Sequence, residues 1–127
     1  MFIWTNFHIF DLKRWLKYGK LYPVGADVNV EEGEYGNALQ IASWYGHENI
    51  VQLLLDNGAD VNAKGETFGN ALQLASLRGH ERIVRLLLDN GANVNAEGGL
   101  HGSALVAASS QGHDVIVHLL LDCIKRG

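Results

Sequence analysis

Residues 36–63 read GNALQIASWYGHENIVQLLLDNGADVNA, and residues 69–96 read GNALQLASLRGHERIVRLLLDNGANVNA. The two stretches are offset by 33 places and agree at 22 of 28 positions. A third copy, HGSALVAASSQGHDVIVHLLLDC over residues 101–123, follows at the same offset. The glycines keep the same register: Gly36, Gly69 and Gly102, then Gly46, Gly79 and Gly112, then Gly25, Gly58 and Gly91. Fifteen glycines against one proline would suggest a flexible linker if they were scattered. At a fixed period they mark a stacked repeat architecture.

Each copy resolves into two short helices. Asn37, Asn70 and Ser103 precede apolar stretches, and each has a side-chain oxygen able to accept a free backbone N–H of a first helical turn. The pattern predicts a first helix over 38–45, with Leu39 and Ala42 facing inward and Gly46 ending it through a positive φ. A second helix is expected over about 48–56, where Ile50, Val51, Leu53 and Leu54 share one face. Glu48, Glu81 and Asp114 stand at the starts of the second helices, where the helix dipole favours negative charge. Asn57-Gly58 and Asn90-Gly91 read as helix terminators, and Cys123 aligns with them at the expected end of the last helix. Residues 59–69 then form an extended, turn-rich connector. Helices this short are marginal alone, so each unit depends on its neighbours to bury its Leu-rich layer.

The motif G-N-A-L-Q-x-A-S-x-x-G-H-x-x-I-V-x-L-L-L-D-N-G-A-x-V-N-A resembles the ankyrin repeat. The resemblance implies an all-α solenoid of helix–turn–helix units joined by extended hairpin-like loops. It covers residues 35–123 and, through Gly25-Ala26-Asp27-Val28-Asn29, reaches into a degenerate earlier unit. The implied organisation is a degenerate N-terminal repeat or capping helix over 1–34, then repeats over 35–67, 68–100 and 101–127. Where the family usually carries Thr-Pro-Leu-His, this chain has Asn-Ala-Leu-Gln twice and Ser-Ala-Leu-Val once. Gln40 and Gln73 replace the family's His with a side chain able to substitute in hydrogen bonding, whereas Val106 drops the polar group. Tyr35, Phe68 and His101 stand where the family usually has Gly. The Asn-Ala-Leu-Gln form is similar to repeats in long arrays of filamentous-fungal proteins, which implies a short relative or fragment of such an array.

Residues 2–22 hold seven of the eleven aromatics, and Leu12, Trp15, Leu16, Tyr18 and Tyr22 suggest an amphipathic helix over about 11–22, halted near Pro23. Lys13, Lys17 and Lys20 fall on its other face. A capping unit with a solvated basic face accounts for this segment; the alternative is a membrane-surface or nucleic-acid role for that face. The opening MFIWTNFHIF has no basic n-region and no cleavage site after it, so it reads as structure rather than a signal peptide.

Composition narrows the chemistry. With 47% hydrophobic and 19% charged residues, the chain of 127 residues reads as one folded domain. Ten Lys+Arg against fourteen Asp+Glu give a net charge of −4, which argues against phosphate-neutralising nucleic-acid binding. No apolar run is long enough to span a bilayer, so no membrane partner is expected. Cys123 is the one cysteine, which excludes an internal disulfide and fits an intracellular location, cytoplasmic or nuclear. His47, His80 and His113 recur in register, but zinc ligands must converge at ~2 Å from one ion. Residues one repeat apart stand about one helix diameter, ~10 Å, from each other, so no metal is expected. They resemble the family's structural Gly-His turn. Ser103 lacks a nucleophile-elbow context, and Ser109 and Ser110 have no adjacent His–acid pair. Residues 98–103, GGLHGS, lack the Lys of a phosphate loop. No catalytic residue and no cofactor are expected.

Function is better sought where the copies differ: Trp44/Leu77, Tyr45/Arg78, Asn49/Arg82 and Gln52/Arg85. In the family, connector tips and the exposed ends of the first helices form a concave protein-binding face. Carried over by position, that face holds Glu34, Tyr35, Trp44, Tyr45, Thr67, Phe68, Leu77, Arg78, Leu100, His101, Ser110 and Gln111. Trp44, Tyr45 and Arg78 are the leading anchors, because aromatics and Arg dominate binding hot spots. Packing between neighbouring repeats is the competing role for Trp44 and Leu77, and Arg82 and Arg85 read as solvated. The reading is a non-catalytic module that binds another protein. The alternative is a spacer or self-association element cut from a longer array, in which an uncapped last repeat leaves Leu119 and Leu120 partly uncovered.

Overall fold

The computed structural model describes residues 37–65 and 67–126. The capping unit and helix expected over 1–34, together with Glu34 and Tyr35, lie outside the described residues. Among the described residues three helix pairs follow one another: α1 (Ala38–Tyr45) with α2 (Glu48–Asp56), α3 (Ala71–Arg78) with α4 (Glu81–Asp89), and α5 (Ala104–Ser110) with α6 (Asp114–Arg126). Between the first two pairs, β1 (Lys64–Gly65) and β2 (Gly69–Asn70) form a two-residue antiparallel hairpin, with Lys64 opposite Asn70 and Gly65 opposite Gly69. Each first helix packs on its own second helix and on the first helix of the next pair. The second helices touch one another less. The core is continuous, running from Leu39, Val51 and Leu54 through Leu72, Val84 and Leu87 to Ala104, Ile116 and Leu120.

The N-caps do more than close a turn. Asn37 Oδ1 accepts the Gln40 N–H at 3.1 Å, and Gln40 Oε1 accepts the Asn37 N–H at 2.6 Å, a reciprocal capping box. The other end of the Gln40 amide reaches the connector and the next repeat: Nε2 donates to the Ala63 carbonyl at 3.2 Å and to the Gly69 carbonyl, in the following repeat, at 2.7 Å. Asn70 and Gln73 repeat the arrangement, with 2.7 and 2.8 Å in the box. Gln73 Nε2 donates onward to the carbonyls of Gly102, Gly98 and Ala96. Gln therefore makes inter-repeat bonds in this chain. In the third pair, Ser103 Oγ still accepts the Val106 N–H, at 3.2 Å, but Val106 has no amide to pass on and is exposed.

The recurring histidines form a second ladder. His80 Nε2 donates to the Trp44 carbonyl at 3.0 Å, and His113 Nε2 to the Leu77 carbonyl at 3.1 Å. Each ring thus ties the start of one second helix to the end of the preceding repeat's first helix. Connectors add a third tie, because Asn62 Oδ1 accepts the Asn93 N–H at 2.7 Å and Asn62 Nδ2 donates to the Gly91 carbonyl at 3.1 Å.

Two expectations about the last helix are corrected. It does not stop near Cys123 but runs on to Arg126, thirteen residues against nine in α2 and α4. Cys123-Ile124 replaces the Asn-Gly pair there, and neither residue favours a helix end. Leu120 is fully buried rather than partly uncovered, because α5 and α4 cover that side of α6, whereas Leu119 is half-buried, partly uncovered as expected. The apolar side chains left exposed in this pair are Val106, Val115 and Ile124.

The histidine ladder sets different demands on two glycines with similar backbones. Gly46 has φ +80°, and a Cβ there would stand 2.7 Å from His80 Cε1. Gly58 has φ +90°, with open space where its Cβ would be. Both Gly46→Ala and Gly58→Ala carry the left-handed penalty of ~1–2 kcal/mol. Only the first must also displace the ring and its hydrogen bond, overpacking that costs a further ~1–3 kcal/mol. Urea unfolding is therefore expected to rank Gly46→Ala below Gly58→Ala by about that further amount. Equal losses would show that the ring yields without cost.

Candidate functional site

Three of the sequence-predicted residues converge from three different elements. Trp44 lies near the C-terminal end of α1, Phe68 precedes β2 in the hairpin, and Arg78 is the last residue of α3. The Trp44 and Phe68 ring centroids are 6.1 Å apart, tilted by 47°. The Arg78 guanidinium carbon lies over the Trp44 ring, 4.6 Å from its centroid. Trp44 and Phe68 are half-buried, while Arg78 is exposed. Trp44 thus packs between repeats, the competing role that the sequence offered for it, and keeps part of its surface exposed. Tilted aromatic pairs contribute ~0.5–1.5 kcal/mol beyond burial, and an exposed cation–π contact ~0.5–1 kcal/mol. These contacts hold the cluster in one arrangement.

Tyr45, the next residue along α1, has a different ring partner. It is 44% exposed, with its ring stacked against His47 at 6.2 Å and 24° between planes. His47 was absent from the expected face; its i+2 spacing from Tyr45 across the Gly46 turn is the only sequence signal for it. At the hairpin tips, the Leu100 N–H donates to the Thr67 carbonyl at 2.9 Å, so successive tips are tied together. The Leu100 side chain is 66% exposed, and Thr67 and His101 are half-buried.

The remaining predicted residues stand apart from the cluster. Leu77 is half-buried and its carbonyl serves His113. Ser110 is exposed but its Oγ donates to the Ala107 carbonyl at 2.9 Å, within its own helix, and Gln111 caps that helix. Elsewhere, a shallow hollow of about 240 Å³ is lined by Gly46, Glu48, His80, Glu81, Arg82 and Ile83. Its charges answer one another: Arg82 Nε is 3.9 Å from Glu48 Oε1, and Arg85 pairs with Glu81 at 3.2 Å. Such solvated pairs contribute little and leave little unmatched charge for a ligand.

Comparison with known proteins accords with this geometry. Residues 38–88 match a family described as ankyrin repeats (many copies), and residues 64–126 match one described as ankyrin repeats (3 copies). The chain belongs to the ankyrin-repeat family. A stretch of 29 residues is 66% identical to part of a Monascus ruber protein named azaphilone pigments biosynthesis cluster protein L. That stretch is 23% of this chain and 6% of the Monascus protein. Ankyrin repeats generally mediate protein–protein interaction and are typically non-catalytic.

In this ankyrin stack the cation–π contact is measurable by itself. A double-mutant cycle with Trp44→Leu and Arg78→Met, read by urea unfolding, is expected to return a coupling energy of ~0.5–1 kcal/mol. A coupling indistinguishable from zero would mean that Arg78 is not held on the ring.

Proposed function

We propose that this chain is a non-catalytic module that binds another protein through the concave face of its ankyrin stack, with Trp44, Tyr45 and Arg78 as anchors. The carrying observation is the cluster itself: an exposed Tyr45 and Arg78 beside half-buried Trp44 and Phe68, spanning two repeats. Large aromatic surfaces fixed in place, with a cation at the edge, lose little conformational freedom on binding, which favours hot-spot behaviour. The hairpin tips around Thr67, Leu100 and His101 would flank that centre, and Leu77, Ser110 and Gln111 would extend it along the stack.

One observation favours a second reading, self-association or a spacer role. Val106, 57% exposed, occupies the position from which Gln40 and Gln73 hold the following hairpin, and Val115 is 51% exposed on the neighbouring helix. A second copy or further repeats would cover both.

The two readings separate experimentally. Affinity capture from the source lysate, with wild type compared against a folded Tyr45→Ala/Arg78→Ala variant, is expected to yield a protein retained only by wild type. Light scattering on the purified chain is expected to give a monomer. Identical captures from both proteins, together with concentration-dependent association, would favour self-association instead.

A further inference from the structure

The second repeat carries three arginines that the other copies lack: Arg78, Arg82 and Arg85 stand where the first copy has Tyr45, Asn49 and Gln52, and the third Gln111, Val115 and His118. Two of them are matched within the chain, Arg82 by Glu48 and Arg85 by Glu81. Arg78 differs. Among the described residues it has no carboxylate and no hydrogen-bond partner, and its one contact of this kind is the Trp44 ring.

That contact constrains what Arg78 can do. A ring face attracts the guanidinium charge but accepts none of its five N–H donors in the ordinary way, so the donors remain for another group. An Arg stacked on an aromatic is also less hydrated and less free to reorient than a surface Lys, which lowers the cost of forming a paired, bidentate contact. The planar, two-oxygen group that matches this fork in a protein partner is a side-chain carboxylate. Beside it, Trp44 and Phe68 offer apolar surface to the residues flanking that carboxylate, and Tyr45, next to Trp44 in α1, adds an exposed ring.

We propose that Arg78, held over Trp44, is the receptor for an Asp or Glu side chain in a short acidic segment of the partner protein, with an aromatic or aliphatic neighbour seated on the Trp44, Phe68 and Tyr45 rings. This rests on the hairpin-and-helix face being the binding face. Because the whole chain carries a net charge of −4, attraction for an acidic segment is local to this cluster rather than a property of the overall field.

A phage-displayed random peptide library, selected against the full chain, tests this without knowledge of the natural partner. The expected result is enrichment of Asp or Glu next to an apolar residue. Binding of the selected peptides is expected to fall about 10- to 100-fold in Arg78→Glu, the range for losing a charge-assisted hydrogen-bonded pair. Arg78→Lys, which keeps the charge but not the fork, should fall between, and each variant is first checked for an unchanged circular-dichroism melt. Should the selected peptides lack acidic residues, or bind Arg78→Glu as well as wild type while Tyr45→Ala weakens them, the carboxylate assignment fails and the binding face stands. If neither Arg78→Glu nor Tyr45→Ala changes binding, both fail. Absence of any enriched peptide on the folded chain also overturns the carboxylate assignment.

Discussion

The amide of Gln73 faces two ways, and the stacking of one repeat on the next depends on it. Its oxygen accepts the N–H of Asn70, closing the cap of its own helix, while its nitrogen donates to carbonyls of the following connector, including Gly102. Gln40 does the same one repeat earlier. Gln40 is 1% exposed and Gln73 3%, so their partners have little access to water. Buried main-chain groups must be satisfied somewhere, and here one side chain satisfies a donor in its own helix cap, acceptors in the connector and one acceptor in the next unit. A helix cap, ordinarily a local device, becomes an inter-repeat joint.

The histidine ladder works at the other end of the same helices. Gly46 and Gly79 leave room for the rings of His80 and His113, whose donors reach back to the preceding repeat. With both ends of α1 and of α3 tied to the next unit, the packing between first helices is held tightly. Ser43 and Ser76 are fully buried there, and neither hydroxyl has a hydrogen-bond partner among the described residues. An unsatisfied hydroxyl carries a desolvation cost of about 1–3 kcal/mol, which the surrounding packing must offset. The same rigidity brings Trp44 of one repeat beneath Arg78 of the next and places Phe68 beside it. Position of the candidate binding cluster is thus a consequence of the joints behind it.

Much of the fold was legible because the same message is written three times. Asn37, Asn70 and Ser103 marked the helix starts, and Gly46 and Gly79 the ends, at the positions where the structure has them. The last helix was harder. Its length depends on a missing signal, Cys123-Ile124 in place of Asn-Gly, and the burial of Leu120 depends on how α6 sits against α4 and α5. The site was legible as a set of positions but not as a constellation. Differences between copies singled out Trp44, Tyr45 and Arg78. That Arg78 lies on Trp44, and that Tyr45 stacks on His47, follows from the rise between repeats and the turn at Gly46. Periodicity alone carries neither distance.

Because the account makes the glutamine amide the joint of the stack, its most direct test is to remove that amide while keeping the side chain's bulk. Urea unfolding of Gln73→Met is predicted to show a loss of about 2–4 kcal/mol, from the buried N–H and carbonyl groups left without partners. Gln52→Met supplies the reference, since Gln52 is exposed and among the described residues its side chain bonds only Asp56 one turn away, and its change should stay within ~0.5 kcal/mol. A Gln73→Met variant as stable as the Gln52→Met reference would contradict the account, leaving apolar packing between first helices as sufficient to hold the repeats together.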